Sequence, residues 1–173
     1  MQSLQLLSPL TTIENMDIYL VRHAPAEERD GKKWPNDDKR PLSREGKRRF
    51  ASLIKRVNDL PDYVDVVASS PLVRAKETAD LLVEKAAWPR FVEWDELKSD
   101  ADPERVIEKL RNLRGVSSVA LVGHEPQMSA LFSLLVTGSK AGVHMEFKKG
   151  AIARIGWSPR KSGPGKLLWL VAP

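Results

Sequence analysis

Four residues stand where short apolar runs stop or helices begin: Arg22 and His23 after DIYLV (17–21), Arg74 within SSPLVR (69–74), and His124 after SSVALV (117–122) and Gly123. Two guanidiniums and two imidazoles make a set suited to phosphoryl chemistry. Arginine stays charged at any ordinary pH and offers planar N–H donors that match phosphate oxygens. A neutral imidazole whose tautomer is fixed by its neighbours can attack phosphorus and carry it covalently. Taken singly, a histidine at a strand end or an arginine in a helix serves structure more often than chemistry. The functional reading depends on the four meeting in space.

The chain between them supplies elements that would make them meet. Residues 17–21 read as a buried strand, apolar and rich in β-branched and aromatic types. Residues 24–42 are polar and broken by Pro25, Gly31, Pro35 and Pro41, a long loop of the kind that usually has a function. Ser43 can cap a helix to about residue 58, with Phe50, Leu53, Ile54 and Val57 as its apolar stripe. A second strand is expected at 63–68, followed by a helix to about Ala87 with Ser70 as N-cap and Pro71 in its first position. A short strand at 90–94 precedes a helix opened by Asp102 and Pro103 and closed by Gly115. After the strand at 117–122, an apolar helix runs to about Thr137, and three strand-like runs follow at 143–147, 151–157 and 167–171. Strands alternating with helices predict a three-layer α/β/α fold with a mostly parallel central sheet, in which sites form at the carboxyl ends of the strands. The last strands could add a hairpin or an antiparallel edge. One domain is expected over 16–173, with 1–15 as an N-terminal extension.

Composition bounds the chemistry further. With no cysteine in 173 residues, disulfides, thiolate nucleophiles and cysteine-held metals are excluded. No run approaches the ~20 apolar residues needed to span a bilayer. The first fifteen residues carry no Lys or Arg, so a secretory signal is not supported and a cytoplasmic location is the expectation. The net charge is +5, and it is unevenly placed: residues 27–56 hold 11 basic and 6 acidic side chains, and residues 140–173 hold 7 and 1. Those segments could face an anionic partner, or simply be solvated. No zinc-finger spacing, aromatic RNA-binding string or basic-zipper heptad supports nucleic acid.

Three motifs in order give the sequence a family resemblance. Leu20-Val21-Arg22-His23-Ala24, Ser69-Ser70-Pro71-Leu72-Val73-Arg74-Ala75-Lys76-Glu77-Thr78 and Leu121-Val122-Gly123-His124-Glu125-Pro126 resemble the histidine phosphatase, or phosphoglycerate-mutase-like, superfamily from about Met16 to the C-terminus. The resemblance implies His23 as a nucleophile that is phosphorylated and dephosphorylated, with Arg22, Arg74 and His124 holding the phosphoryl group, and no metal or other cofactor. Within the superfamily the chain is most similar to the SixA-type phosphohistidine phosphatases. The similarity lies in Arg40-Pro41-Leu42-Ser43-Arg44-Glu45-Gly46, in Gly150-Ala151-Ile152-Ala153 and in the closing Trp169-Leu170-Val171-Ala172-Pro173. Most members read Arg-His-Gly-Glu-Thr, whereas this chain has Ala24, Pro25 and Ala26, and Arg29 stands where mutase-like members often place asparagine.

The mutase-like branch also supplies a glutamate as general acid after the third strand, for which Glu93, Asp95 and Glu96 are the candidates. An alkoxide leaves phosphorus poorly without a proton donor, but imidazole leaves as a much weaker base. A missing acid would therefore favour phosphohistidine, carried by a phosphoprotein that the basic loop 29–49 could meet. The short chain, with little sequence for a lid, points the same way. The alternatives are a broad phosphomonoesterase acting on small phosphate esters and a non-catalytic phosphate or phosphoprotein sensor. Trp34 in the long loop could touch a substrate, and His144 is expected to be structural.

Overall fold

The computed structural model describes residues 15–173 except 58, 59, 62 and 162. The expected extension at 1–15 thus lies, but for Asn15, outside the described residues, as does the expected end of the first helix at 58.

Among the described residues six strands form one sheet: β1 (Met16–Arg22), β2 (Val66–Ser69), β3 (Val92–Glu93), β4 (Ser118–Gly123), β5 (Ile152–Trp157) and β6 (Lys166–Val171). Their order across the sheet is β3-β2-β4-β1-β5-β6. The first four run parallel, β5 pairs antiparallel to β1, and β6 antiparallel to β5. The α-helices among the described residues connect them: α1 (Arg44–Arg56), α2 (Val73–Lys85), α3 (Pro103–Asn112) and α4 (Gln127–Thr137). None of the described helices is long and apolar enough to cross a membrane.

The side-chain alternation of β1 explains the layers. Ile18 and Leu20 pack with Val106, Ile107 and Leu110 of α3 and with Met128, Leu131 and Leu135 of α4. Tyr19 and Val21 face the other way, onto Phe50, Leu53 and Ile54 of α1 and Ala75, Ala79 and Leu82 of α2. A strand covered on both faces has to be apolar at every position, which is why 17–21 reads as a continuous run rather than an alternating one. The expected three-layer α/β/α arrangement follows directly.

Capping is local and legible. The Ser43 hydroxyl accepts a hydrogen bond from Gly46 N–H at 3.0 Å, and the Asp102 carboxylate one from Glu104 N–H at 3.1 Å with Pro103 beside it. Each such cap contributes ~1 kcal/mol.

Three expectations need correction. First, α2 begins at Val73 with Leu72 at the N-cap position, and no side chain caps it. The Ser70 hydroxyl is instead engaged with His124 and lies at the long distance of 3.4 Å from Leu72 N–H. Second, the strand expected at 90–94 shortens to Val92–Glu93, because the chain turns into a 3-10 helix at Asp95–Leu97. Third, residues 143–147 form no strand. Their backbone groups are used elsewhere: Val143 N–H donates to Ser133 Oγ, Phe147 N–H donates to the Glu125 carboxylate, and Phe147 C=O accepts from Arg22.

The long loop is tied down at both ends. Ser43 N–H donates to Pro25 C=O, Ala26 and Leu42 form an isolated antiparallel bridge, and Glu27 N–H donates to Pro41 C=O. Gly46 fits under this bridge only because it lacks a side chain, since a Cβ there would run into the Pro25 carbonyl. Alanine normally gains ~1 kcal/mol over glycine inside a helix. Overpacking against backbone costs ~1–3 kcal/mol and should win. Gly46→Ala is therefore expected to lower the urea midpoint of unfolding; a rise would contradict the close approach of α1 to Pro25.

Candidate active site

The strand ends bring the four residues together. In the parallel pairing of β1 with β4, Arg22 lies opposite Gly123, and His23 N–H donates to Gly123 C=O at 3.0 Å. His23 and His124, each one residue past its strand, therefore sit side by side with ring centroids 5.0 Å apart and planes at 50°. Ser70 follows β2 on the far side of β4, and its N–H donates to Val122 C=O. Arg74 comes from the first turn of α2 and is buried there. A cavity of about 360 Å³ opens at this point, bordered by Arg22, His23, Arg40, Arg74, Ser99, His124, Glu125 and Lys149, with Ala26, Glu27, Glu28 and Arg29 on its loop side.

The hydrogen bonds of His23 select its tautomer. Its Nδ1 lies 2.7 Å from the Ala24 carbonyl oxygen, which can only accept, so Nδ1 carries the proton and Nε2 keeps its lone pair. Ala24 is held in turn, because its N–H donates to Thr78 Oγ1 at 3.0 Å while the Thr78 hydroxyl donates to Arg74 C=O at 2.7 Å. Burial lowers the His23 pKa from 6.5 to about 3, and the charges of Arg74, Arg22 and Lys149 push in the same direction against the Ala24 hydrogen bond. His124 is lowered to about 2, first by burial and then by His23, Arg74 and Arg22. Its Nε2 shares a hydrogen bond of 2.9 Å with Ser70 Oγ, and its Nδ1 is buried without a partner among the described residues.

Both arginines are partly engaged and partly open. Arg22 Nη1 donates to Phe147 C=O and lies 3.1 Å from a Glu146 carboxylate oxygen. Arg74 Nη1 donates to Asp37 C=O at 2.9 Å and pairs with its carboxylate at 3.2 Å. The Nε of each is buried with no partner among the described residues. Asp37 stands at the start of a 3-10 helix, Asp37–Lys39, in the long loop. Arg40 fixes that turn by donating from Nε to the Asp37 carboxylate and from Nη1 to Glu27 C=O, both at 2.7 Å. The hydrogen bond from Arg40 holds the Asp37 carboxyl below its usual range. Two neutral imidazoles between two guanidiniums, each with an unfilled N–H, can receive a tetrahedral oxyanion and present a nitrogen lone pair to it.

The other sequence candidates lie elsewhere. Glu93 pairs with Lys76 at 3.1 Å, Asp95 with Lys98 at 2.6 Å and Glu96 with Lys109 at 2.7 Å, and none borders the cavity. The acidic residues that do are Glu27, Glu28 and Glu125. Trp34 is half-buried with Lys33 over its ring, and His144 is exposed; neither borders the cavity. Sequence reasoning passed over Ser70 as a site residue, reading it as a cap, and it passed over Asp37, Arg40, Ser99, Glu125 and Lys149. The only signal for them was adjacency to the motifs, for Arg40, Ser70 and Glu125.

The chain resembles known proteins in sequence and in fold. The model of the histidine phosphatase superfamily (branch 1) matches residues 18–99. An uncharacterized protein of Picosynechococcus sp. is 26% identical over 139 residues, covering 79% of this chain and 82% of its own. Among solved structures, the protein histidine phosphatase SixA complexed with tungstate superimposes with a TM-score of 0.78 at 25% identity, covering 91% of this chain and 97% of its own. The alpha-ribazole phosphatase of Shigella flexneri shares the fold with a TM-score of 0.68 at 18% identity, over 91% of this chain and 96% of its own. Residues 18–99 thus resemble the histidine phosphatase superfamily, and the chain shares its fold with these phosphatase structures. The architecture is SixA-like.

The two lowered histidines make a prediction for stability. In the unfolded chain each takes up a proton near pH 6.5, whereas folded His23 does so only near pH 3. Below pH 6.5 the unfolded state then binds more protons, so this contribution to stability is complete above about 6.5 and is lost as the pH falls toward 3. NMR of the imidazole nitrogens should show both rings neutral from pH 8 to pH 5; a midpoint near 6.5 for either would contradict this burial.

Proposed function

We propose that this protein is a metal-independent phosphohistidine phosphatase acting on phosphohistidine carried by a protein, with His23 as nucleophile and Arg22, Arg74 and His124 as the phosphoryl pocket. The observation that carries the reading is His23 itself. It is neutral, its proton is fixed on Nδ1 by the Ala24 carbonyl, and Nε2 is left as the attacking atom in a cavity lined by two guanidiniums.

The reaction has two steps. The Nε2 lone pair attacks phosphorus in line, the bond from phosphorus to the substrate imidazole nitrogen breaks, and that nitrogen keeps the electron pair and takes a proton from solvent. Water then attacks phosphorus on His23, the P–Nε2 bond breaks, and inorganic phosphate leaves with His23 returned to its neutral form. The guanidiniums, largely shielded from solvent, neutralise the equatorial oxygens. Imidazole is a weak enough base to depart without a strong acid beside it, which suits a site whose Glu93, Asp95 and Glu96 are turned to lysines.

A second reading, a phosphatase for small phosphate esters, is favoured by one feature. The Glu28 carboxyl is exposed on the loop side of the cavity and makes no hydrogen bond or ion pair with the described residues. It could protonate an alkoxide. The two readings separate on substrate. Metal-free protein should hydrolyse a phosphohistidine peptide faster than p-nitrophenyl phosphate or a sugar phosphate, and His23→Ala should abolish turnover of all three. A reversed ranking that depends on Glu28, tested with Glu28→Gln, would establish the ester phosphatase instead. Turnover of none by the wild type would leave a phosphate sensor. Arg74→Ala is expected to lower kcat by ~10²-fold to 10³-fold. Circular dichroism of that variant should stay native, and normal turnover would remove Arg74 from the pocket.

A further inference from the structure

Glu125 follows His124 directly and borders the same cavity, yet nothing in the reaction above uses it. Its Oε1 is doubly engaged, accepting from Phe147 N–H at 2.8 Å and from the Ser129 hydroxyl in the first turn of α4 at 2.7 Å. The same Phe147 residue turns its carbonyl to Arg22 Nη1. A continuous path thus runs from the start of α4 through one carboxylate to the segment 146–147, and from that segment to the guanidinium.

The surroundings make the path consequential. Residues 143–147 are not held by any strand; the Phe147 ring is anchored in the core against Phe132, and the hydrogen bond to Glu125 fixes its backbone N–H. On its far side Gly150 N–H donates to the Arg22 and His23 carbonyls, at 3.1 Å and 3.0 Å. Between these anchors, Phe147 C=O and the Glu146 carboxylate, 3.1 Å from the same nitrogen, hold Nη1, and because the guanidinium is planar its Nε edge turns with Nη1. That Nε is buried and has no partner among the described residues.

We propose that Glu125 is a positioning residue: by clamping Phe147 it orients Arg22 so that its open N–H groups meet the phosphoryl oxygens. This rests on the phosphatase reading and adds a residue to it. Coulomb's law alone makes the opposite forecast. Glu125 is an anion beside an anion-binding cavity, so removing its charge should tighten phosphate binding in every variant. Positioning demands that binding follow the acceptor oxygen and not the charge.

The test is binding of inorganic phosphate to the full chain, by calorimetry, for Glu125→Ala, Glu125→Gln and Arg22→Ala, singly and with the Ala variants combined. Misplacing a positioning group by ~1 Å can cost ~10²-fold, so Glu125→Ala should bind phosphate ~10-fold to 100-fold more weakly. Glu125→Gln, which keeps an acceptor oxygen, should bind as tightly as wild type or more so. In the Arg22→Ala background the Glu125→Ala effect should vanish, because both changes remove the same interaction. Should Glu125→Ala fail to fold, Glu125→Asp, one methylene shorter, carries the same comparison.

Equal or tighter binding by Glu125→Ala overturns the proposal and leaves the phosphatase reading standing. Effects that simply add with Arg22→Ala overturn it as well, since they assign Glu125 a general structural role. Wild-type protein that binds no phosphate overturns the reading and the proposal together.

Discussion

The register between β1 and β4 is the constraint on which the site depends. Arg22 pairs with Gly123 in a parallel ladder, so the residue after each strand is a histidine and the two rings come within 5.0 Å. A slip of one residue would turn the apolar set of β1 onto the wrong helices, exchanging the Ile18–Leu20 face with the Tyr19–Val21 face. Both faces are fully covered, so the core of each layer enforces the alignment of the chemistry at the strand ends. Packing energy, which is large and non-directional, is thereby converted into placement of a few polar groups.

What the register assembles, the burial of the two histidines tunes. Two imidazoles are kept neutral by burial in the first place, and the nearby guanidiniums reinforce this. That costs stability below pH 6.5 and supplies a nitrogen lone pair across the whole neutral range. Backbone carbonyls, with Asp37 at Arg74, take one end of each guanidinium and leave the Nε edge open.

The sequence carried the parts of this design that obey local rules. Continuous apolar runs marked β1 and β4, Ser43 and Asp102 marked helix starts, and motif order marked His23, His124 and both arginines. It misled wherever a group serves a distant partner. Ser70 has the chemistry of a cap but bonds to His124, 54 residues away. Residues 143–147 have the composition of a strand, yet Phe147 spends both backbone groups on Glu125 and Arg22. The sequence directs the search for an acid to 93–96, where pairing with Lys76, Lys98 and Lys109 turns the side chains from the cavity, while Glu27, Glu28 and Glu125 reach it from the loop and from the residues after β4. Such pairings depend on sheet order, which no local pattern encodes.

The most direct test of this account is to look for the phosphoryl group on the protein. Enzyme mixed with a phosphohistidine substrate, quenched in alkali within the first turnover and digested, should yield one phosphorylated peptide, carrying the phosphoryl group on Nε2 of His23. The Nδ1 position should be empty because its proton is committed to Ala24. Phosphorylation at Nδ1, on His124, or on no residue of a protein that is turning over substrate would contradict the central role given to His23.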